Sequence, residues 1–246
     1  MTRLSVNVNK IATLRNTRTI GIPNVEELAE LALSAGAHGI TVHPRPDQRH
    51  IRPDDVARIA AVLRAFPSAE YNIEGNPFHG LVEHCEQVRP AQATLVPDAQ
   101  DALTSNHGWN LSNLDVRERT SLMQAIARLH AIGTRVSLFV DPDAAVMPLA
   151  REVGADRIEL YTEPYAAEVA AGGGPSSLAL YRKAAQAAES AGLGVNAGHD
   201  LNLDNLGPFL AELGNVDEVS IGHALIADAL VYGLEDTVKR YLAICA

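Results

Sequence analysis

The chain has 246 residues, and 47% of them are hydrophobic, a composition that predicts a large core and excludes intrinsic disorder. The formal net charge of −10 argues against general binding to nucleic acid or anionic lipid, so partners of these two classes are not expected. No apolar run reaches the roughly 18 residues of a membrane span. Residues 1–10 lack a signal-peptide segment, so a cytoplasmic protein is expected.

Alternating helix and strand patterns run along the whole chain. Four predicted helices end in a glycine followed by a β-branched run, at Gly36, Gly133, Gly154 and Gly192. Strands are predicted near residues 3–8, 39–43, 69–74, 92–96, 134–140, 157–161, 193–197 and 217–221. Helices are predicted at 24–35, 53–65, 77–88, 115–132, 143–152, 175–191, 202–213 and 223–243. Eight such units favour an α/β fold of the (β/α)8 TIM barrel type, with residues 1–246 as one domain.

Two longer insertions interrupt this rhythm, at residues 97–114 and 162–174. Long loops that follow barrel strands often close over a site and exclude water. The glycines at 172–174 predict flexibility in the second insertion.

The charge and the cysteines are distributed unevenly. Residues 1–65 contain nine Lys and Arg against six Asp and Glu, although the whole chain is acidic. A locally basic segment beside strand ends favours an anion site, such as one for a phosphorylated small molecule. Cys85 and Cys245 are far apart and lack metal-binding spacing, so we expect free thiols and no metal site.

Polar residues follow almost every predicted strand. The active site of a barrel enzyme lies where the carboxyl ends of its strands meet, so we expect these residues to converge there. In chain order they are Asn7, Asn9, Lys10, Arg15, Arg18, His43, Arg45, His50, Glu74, Thr104, Ser105, His107, Glu159, Thr162, Asn196, His199, Gly222 and His223. A single histidine at such a position is more often structural than catalytic. The whole set of histidines with Glu74 and Glu159 favours acid/base catalysis, and strand alternation predicts that Glu159 points inward.

Two features predict phosphate binding. The glycines in Asn196-Ala-Gly-His199 and Ile221-Gly-His223 allow backbone N–H groups to approach an anion beside a helix N-terminus. The arginines and histidines that follow the first two strands could hold a second phosphate by side-chain charge. Two anion sites indicate two phosphorylated substrates or one bisphosphate.

Several segments, in chain order, resemble the pyridoxine 5'-phosphate synthase family of vitamin B6 biosynthesis. They are Asn7-x-Asn-Lys-Ile-Ala-Thr-Leu-Arg-Asn-x-Arg18, Gly39-Ile-Thr-Val-His-Pro-Arg-Pro-Asp-x-Arg-His50, Asn72-Ile-Glu-Gly75, Leu95-Val-Pro-Asp98, Thr104-Ser-x-x-Gly-Trp109, Val195-Asn-Ala-Gly-His199 and Ile221-Gly-His-Ala224. The resemblance implies a (β/α)8 barrel with extra helices, assembled as a homo-octamer. It also implies condensation of 3-amino-2-oxopropyl phosphate with 1-deoxy-D-xylulose 5-phosphate to pyridoxine 5'-phosphate, phosphate and water, without a metal or organic cofactor.

The resemblance further implies residue roles. His43 and Glu74 match the family's proton acceptors, His199 matches its proton donor, and Glu159 matches a carboxylate that stabilises the transition state. Matched contacts to the deoxyxylulose phosphate are Arg45, His50 and Thr104. Matched contacts to the aminoketone phosphate and the product phosphate are Asn7, Arg18, Gly222 and His223.

The chain departs from the family pattern in two places near the site. Many members have Asp-His where this chain has Asn9-Lys10, at positions that contact the pentulose phosphate in the family. Asp200 stands where a glycine often follows the histidine. A substrate contact through its backbone N–H would be kept, whereas otherwise an acid beside a phosphate would be unfavourable.

Other functions fit the same residues. A phosphosugar isomerase, or an aldolase that uses Lys10, would also need a barrel with anion sites. A barrel that binds a phosphorylated metabolite without turning it over is a third possibility. A metal-dependent hydrolase is disfavoured, because the first strand lacks the His-x-His pair that such sites commonly use.

Overall fold

Eight parallel strands close into a barrel in the computed structural model, which describes residues 1–100, 102, 104–173 and 176–246. The strands are β1 (Arg3–Asn7), β2 (Gly39–Val42), β3 (Glu70–Gly75), β4 (Gln92–Leu95), β5 (Arg135–Val140), β6 (Arg157–Tyr161), β7 (Gly194–Gly198) and β8 (Glu218–Ile221). Each strand pairs with the next, and β1 pairs with β8, where Val6 lies beside Ile221. The predicted (β/α)8 barrel is confirmed.

Helices follow the strands and cover the outside of the barrel. The described α-helices are α1 (Asn9–Asn16), α2 (Val25–Ser34), α3 (Pro53–Leu63), α4 (Leu81–Val88), α5 (Val116–Ala131), α6 (Met147–Glu152), α7 (Glu163–Ala170), α8 (Leu178–Ser190), α9 (Leu206–Leu213), α10 (His223–Tyr232) and α11 (Leu234–Cys245). Short 3₁₀ turns occupy Leu111–Asn113 and Ala144–Val146. In the described part of the chain, no helix has both the length and the apolar composition to cross a bilayer.

Several helix boundaries differ from the predicted ones because of local turns. Helix α4 begins later than predicted because Gly80 adopts a left-handed conformation, with φ of 93°. Helix α9 also begins later, since the Asn202 side chain accepts the backbone N–H groups of Asp204 and Asn205 and forms a turn there. The predicted last helix is two helices, because the chain changes direction at Gly233, where φ is 79°.

Two helices were missed. Helix α1 was predicted as loop, and α7 lies inside the insertion at 162–174, which is therefore not a purely flexible loop. The helix predicted at 175–191 is described from Leu178, and the one predicted at 143–152 begins with a 3₁₀ turn. Gly174 and Pro175, to which predictions also applied, lie outside the described residues.

The barrel has a polar interior and an apolar outer face. Gln92 on β4 donates to Glu218 on β8 across the ring, at 3.1 Å, and Asn196 on β7 donates to Gln92 at 3.2 Å. Alternate strand residues, such as Ile158 and Leu160 on β6, are fully buried against the helices. Because side chains alternate along a strand, Glu159 points into the barrel, as predicted. Both cysteines are buried free thiols, also as predicted.

Candidate active site

The carboxyl ends of the strands surround a cavity of about 430 Å³. Of the fourteen residues that the family resemblance and its two departures place at the site, thirteen line it, and they come from almost every strand of the barrel. They are Asn7, Asn9, Lys10, His43, Arg45, His50, Glu74, Thr104, Glu159, His199, Asp200, Gly222 and His223. The closed ring therefore brings together groups that are up to 216 residues apart in the sequence, from position 7 to position 223.

Arg18 is the one of these fourteen that does not line this cavity. Among the other residues predicted to converge here, Ser105 lines the cavity, and Arg15, His107, Thr162 and Asn196 do not. Helix α1 ends at Asn16, and Arg18 follows in an exposed bend, where its backbone N–H donates to the Arg15 carbonyl oxygen. The chain by itself does not bring the Arg18 side chain to the cavity, and its predicted contact with a phosphate stays a prediction.

Thr13, Val96, Phe139 and Ser220 also line the cavity, although the sequence analysis did not name them. Ser220 lies two residues after the inward-facing Glu218 on β8, so strict alternation along the strand would have indicated it. Thr13 lies on the helix that was missed.

Two carboxyl groups lie in the wall of the cavity and interact with each other. Glu74 accepts hydrogen bonds from the Asn7 amide at 3.3 Å and from the Ser220 hydroxyl at 3.4 Å. Glu159 accepts one from the Thr94 hydroxyl at 3.4 Å. These neutral donors leave the two acids without a cationic partner among their described hydrogen bonds.

Burial makes both carboxyl groups hard to ionise. It raises the pKa of Glu74 to about 8, against the opposing hydrogen bond from Ser220. Burial, with the nearby charge of Glu74, raises the pKa of Glu159 well above its usual range. Since two adjacent acids in a barrel interior resist double ionisation, the pair retains at least one proton at neutral pH.

His43 and His50, which follow β2, both have a lowered pKa and are neutral in the free site. Burial, with the positive charge of Arg45, lowers the pKa of His43 well below its usual value. The same causes lower the pKa of His50 to about 4, and His50 Nδ1 accepts the Ile51 backbone N–H at 3.0 Å. The His43 backbone is fixed by the Asn9 side chain, which accepts its N–H at 2.9 Å. A neutral, positioned His43 can accept a proton.

Arg45 connects the β2 end to the loop after β4. Its guanidinium donates to Asp98 at 2.9 Å and to the Ala102 carbonyl oxygen at 2.7 Å, and both charged side chains are almost fully buried. Ser105 donates to the same Asp98 carboxylate at 2.7 Å. Arg45 therefore fixes part of the predicted insertion over the cavity, a role that the sequence did not reveal.

His199 lies where β7 ends, and its ring is surrounded on several sides. Nε2 lies 3.0 Å from the Thr104 hydroxyl oxygen, and Nδ1 lies 3.2 Å from an Asp200 carboxylate oxygen. The Tyr161 ring packs edge-on against the imidazole, with centroids 5.3 Å apart. A Cβ on Gly198 would lie 2.5 Å from a Glu159 carboxylate oxygen and 3.2 Å from the Ser220 carbonyl oxygen, so glycine allows close packing there.

The N-terminus of helix α10 faces the cavity at Gly222 and His223. A Cβ at Gly222 would lie 3.1 Å from the Asn7 Cβ atom, so glycine allows close packing there. Free backbone N–H groups at a helix N-terminus favour an anion, as do Lys10 and the ring of His223 nearby. Within the described residues, no group of three His, Cys, Asp or Glu side chains could hold a metal ion.

Comparison with known proteins identifies the family. The model of the family described as pyridoxal phosphate biosynthesis protein PdxJ matches residues 4–246. The chain belongs to the PdxJ family. The pyridoxine 5'-phosphate synthase of Albidiferax ferrireducens is 54% identical, with 98% of this chain and 96% of that protein covered. The synthase of Xanthomonas campestris is 53% identical, with 100% and 96% covered. The resemblance drawn from the sequence segments is thus confirmed.

A solved structure agrees with the barrel. In the Amycolatopsis orientalis BexX/CysO complex, a chain with 16% identity aligns with a TM-score of 0.63 over 100% of this chain and 90% of its own length. At that identity the similarity concerns the fold alone.

Proposed function

We propose that this chain is a pyridoxine 5'-phosphate synthase, which joins 3-amino-2-oxopropyl phosphate to 1-deoxy-D-xylulose 5-phosphate and releases phosphate and water. The observation that supports it best is one cavity lined by neutral His43, a carboxyl pair that retains at least one proton and anion-binding groups. Relatives that are 52–54% identical over nearly their full length bear this name. A non-catalytic phosphate-binding barrel would not need such an acid/base set.

Forming a ring from an amine and a ketone requires several proton transfers. When the amine adds to the ketone and water leaves, a base must take protons from nitrogen and carbon, and an acid must protonate the departing oxygen. We assign proton acceptance to His43 and Glu74, proton donation to His199, and stabilisation of the transition state to Glu159. Glu74 holds a proton in the free site, so it accepts one only after it has ionised. A substrate ammonium beside it lowers its pKa, its proton passes to solvent, and the carboxylate is then the acceptor.

Two groups of hydrogen-bond donors in the cavity receive the two substrate phosphates. The N-terminus of α10, with Asn7 and His223, receives one phosphate. Lys10 and His50 receive the other with Arg45, Asn9 and Thr104. The reaction then needs no metal or organic cofactor, because the amine of one substrate attacks the ketone of the other directly.

We further propose a cytoplasmic homo-octamer. Phosphorylated substrates are charged and are retained inside the cell, which favours the cytoplasm. Contact between copies would cover large apolar side chains that a single chain leaves exposed, among them Leu14, Ile20, Ile22, Leu230 and Val231.

Product formation from the two phosphates tests the proposal. We expect pyridoxine 5'-phosphate and inorganic phosphate to appear together, and neither to appear when one substrate is omitted. Release of phosphate from a single substrate, or borohydride trapping of a substrate on Lys10 without ring product, would instead support an isomerase or an aldolase.

Arg45→Lys is expected to lower kcat/KM by about tenfold to 100-fold, because one ammonium cannot bind Asp98 and the Ala102 carbonyl in the arginine's forked geometry. The loop at residues 97–107 should also be cleaved faster in limited proteolysis. Arg64→Lys, at an exposed position, serves as the control and should change neither measurement. Equal proteolysis of the two variants would show that Arg45 does not fix the loop.

A further inference from the structure

The contact between His199 and Asp200 has a geometry that suits a histidine held by a carboxylate. The Asp200 carboxylate lies on the Nδ1 side of the ring, at 3.2 Å, and Nε2 on the other side lies 3.0 Å from the Thr104 hydroxyl. The carboxylate is offset from the N–H direction, since within the described chain Nδ1 is buried and makes no hydrogen bond of regular geometry. Catalytic hydrogen bonds commonly straighten once substrate is bound.

We propose that Asp200 is a positioning residue that orients His199 through Nδ1, directs Nε2 into the cavity and favours the protonated ring from which a proton is donated. The inference rests on the proposed function, in which His199 is the donor. A carboxylate beside one ring nitrogen fixes the orientation of an imidazole and stabilises its positive charge. Where glycine occupies this position, the histidine has no such partner on the next residue.

The charges around the pair are consistent with an ionised Asp200. The contact with His199 lowers the pKa of Asp200 despite partial burial, and the positive charges of His223 and Lys10 act in the same direction. From β6, Tyr161 stays uncharged, because burial and the Glu163 carboxylate raise its pKa to about 12.

The remaining acid on β6 does not compete with Asp200 for this role. Glu159 lies against Gly198, and burial with the nearby charge of Glu74 raises its pKa, which disfavours its ionised form. The ionised carboxylate in contact with the ring is therefore that of Asp200.

The backbone around the pair decides which variants are informative. His199 and Asp200 both have positive φ values, 86° and 60°, a conformation that most side chains avoid. Asparagine and glycine tolerate it, so Asp200→Asn and Asp200→Gly remove the charge without adding backbone strain. Alanine would combine lost charge with strain and is unsuitable. Asp204→Asn, in the same loop and exposed, is the matched control.

The test measures kcat and KM for both substrates across neutral and alkaline pH. If the protonated ring is the active form, activity is lost as pH rises through its titration, and removing the carboxylate makes that loss occur earlier. We expect the alkaline limb of kcat to move down by roughly 0.5–1 pH unit in both Asp200 variants, since the carboxylate is partly exposed to solvent. The plateau of kcat should fall by about tenfold, with little change in KM. Asp204→Asn should match the natural protein.

Other outcomes would overturn the inference. A lower KM with an unmoved alkaline limb would mean that Asp200 only repels substrate phosphate, and a changed Tm alone would mean a structural role. NMR titration of the His199 ring, assigned by its absence in His199→Ala, reports on the pair without turnover. If the natural protein formed no pyridoxine phosphate, the proposed function would fail, and the NMR titration would still decide whether Asp200 acts on His199.

Discussion

Glu74→Gln is expected to lower kcat by about 1000-fold, the typical contribution of one general acid/base group. The substitution keeps the size of the side chain and lets it remain bonded to Asn7 and Ser220, but it removes the group that exchanges a proton with the substrate. The measurement is kcat for ring formation with both substrates saturating. Glu30→Gln, an exposed position on α2, should retain full activity.

Glu74→Gln should also have a larger free energy of unfolding than the natural protein at pH 8, and this difference should shrink toward pH 5. Glu74 has a folded pKa of about 8, whereas an unfolded glutamate titrates near 4.3. At a pH below the unfolded-state pKa, Glu74 is protonated in both states, so it costs no stability there. As pH rises from the unfolded-state pKa to the folded-state pKa, the unfolded chain ionises first and the free energy of unfolding falls. Glutamine does not titrate and avoids this loss.

Thermal unfolding at pH 5 and pH 8 checks the sign of the effect. A Glu74→Gln protein that keeps more than a tenth of the natural kcat would contradict its role as proton acceptor. A protein that is less stable than the natural one at pH 8 would contradict the raised pKa. The two results are independent, so the mechanism and the electrostatics are tested separately.

Asp55→Ala is expected to reduce the free energy of unfolding by about 3–5 kcal/mol, because it leaves the Arg15 charge buried without its partner. Asp55 accepts hydrogen bonds from both guanidinium nitrogens of Arg15, at 2.6 and 2.8 Å, and the two side chains are 0% and 7% exposed. It also accepts the Arg52 backbone N–H at 2.8 Å at the start of α3. Arg15 also donates to the His50 carbonyl oxygen, so activity should fall as well.

Denaturant unfolding of Asp55→Ala and Asp54→Ala gives a matched comparison. Asp54 is adjacent, exposed and paired only with the partly exposed Arg58 among its described ion pairs, so its loss should cost less than about 1 kcal/mol. Equal destabilisation by the two variants would show that the buried Arg15–Asp55 pair contributes no more stability than the exposed pair of Asp54.

The pH dependence of the Asp55 effect has the opposite sign to that of Glu74. Burial would raise the pKa of Asp55, but the hydrogen bonds from Arg15, Arg52 and Arg58 outweigh it and leave the pKa lowered. The stabilisation is therefore present above the usual carboxyl pKa and is lost as pH falls through the folded value. Asp55→Ala should lack this loss on acidification.

The barrel and most of its site were predictable from the residue pattern of the chain. Glycine caps and β-branched runs act within a few residues, so the strands could be placed, and Glu159 could be oriented inward by alternation alone. Parallel closure then requires all carboxyl ends to meet, which brought His43, Glu74 and His199 into one cavity as predicted. The family segments were also readable from the sequence, because they are contiguous.

The ion pairs, the pKa shifts and the exposure of these residues follow only from the folded structure. Arg45 meets Asp98 across 53 positions and Arg15 meets Asp55 across 40, and neither pairing leaves a local pattern in the chain. The raised pKa of Glu74 depends on what surrounds it in the closed barrel, and the exposure of Arg18 depends on where a missed helix ends. Burial and charge act through space, so they became visible only when the folded chain brought distant residues together.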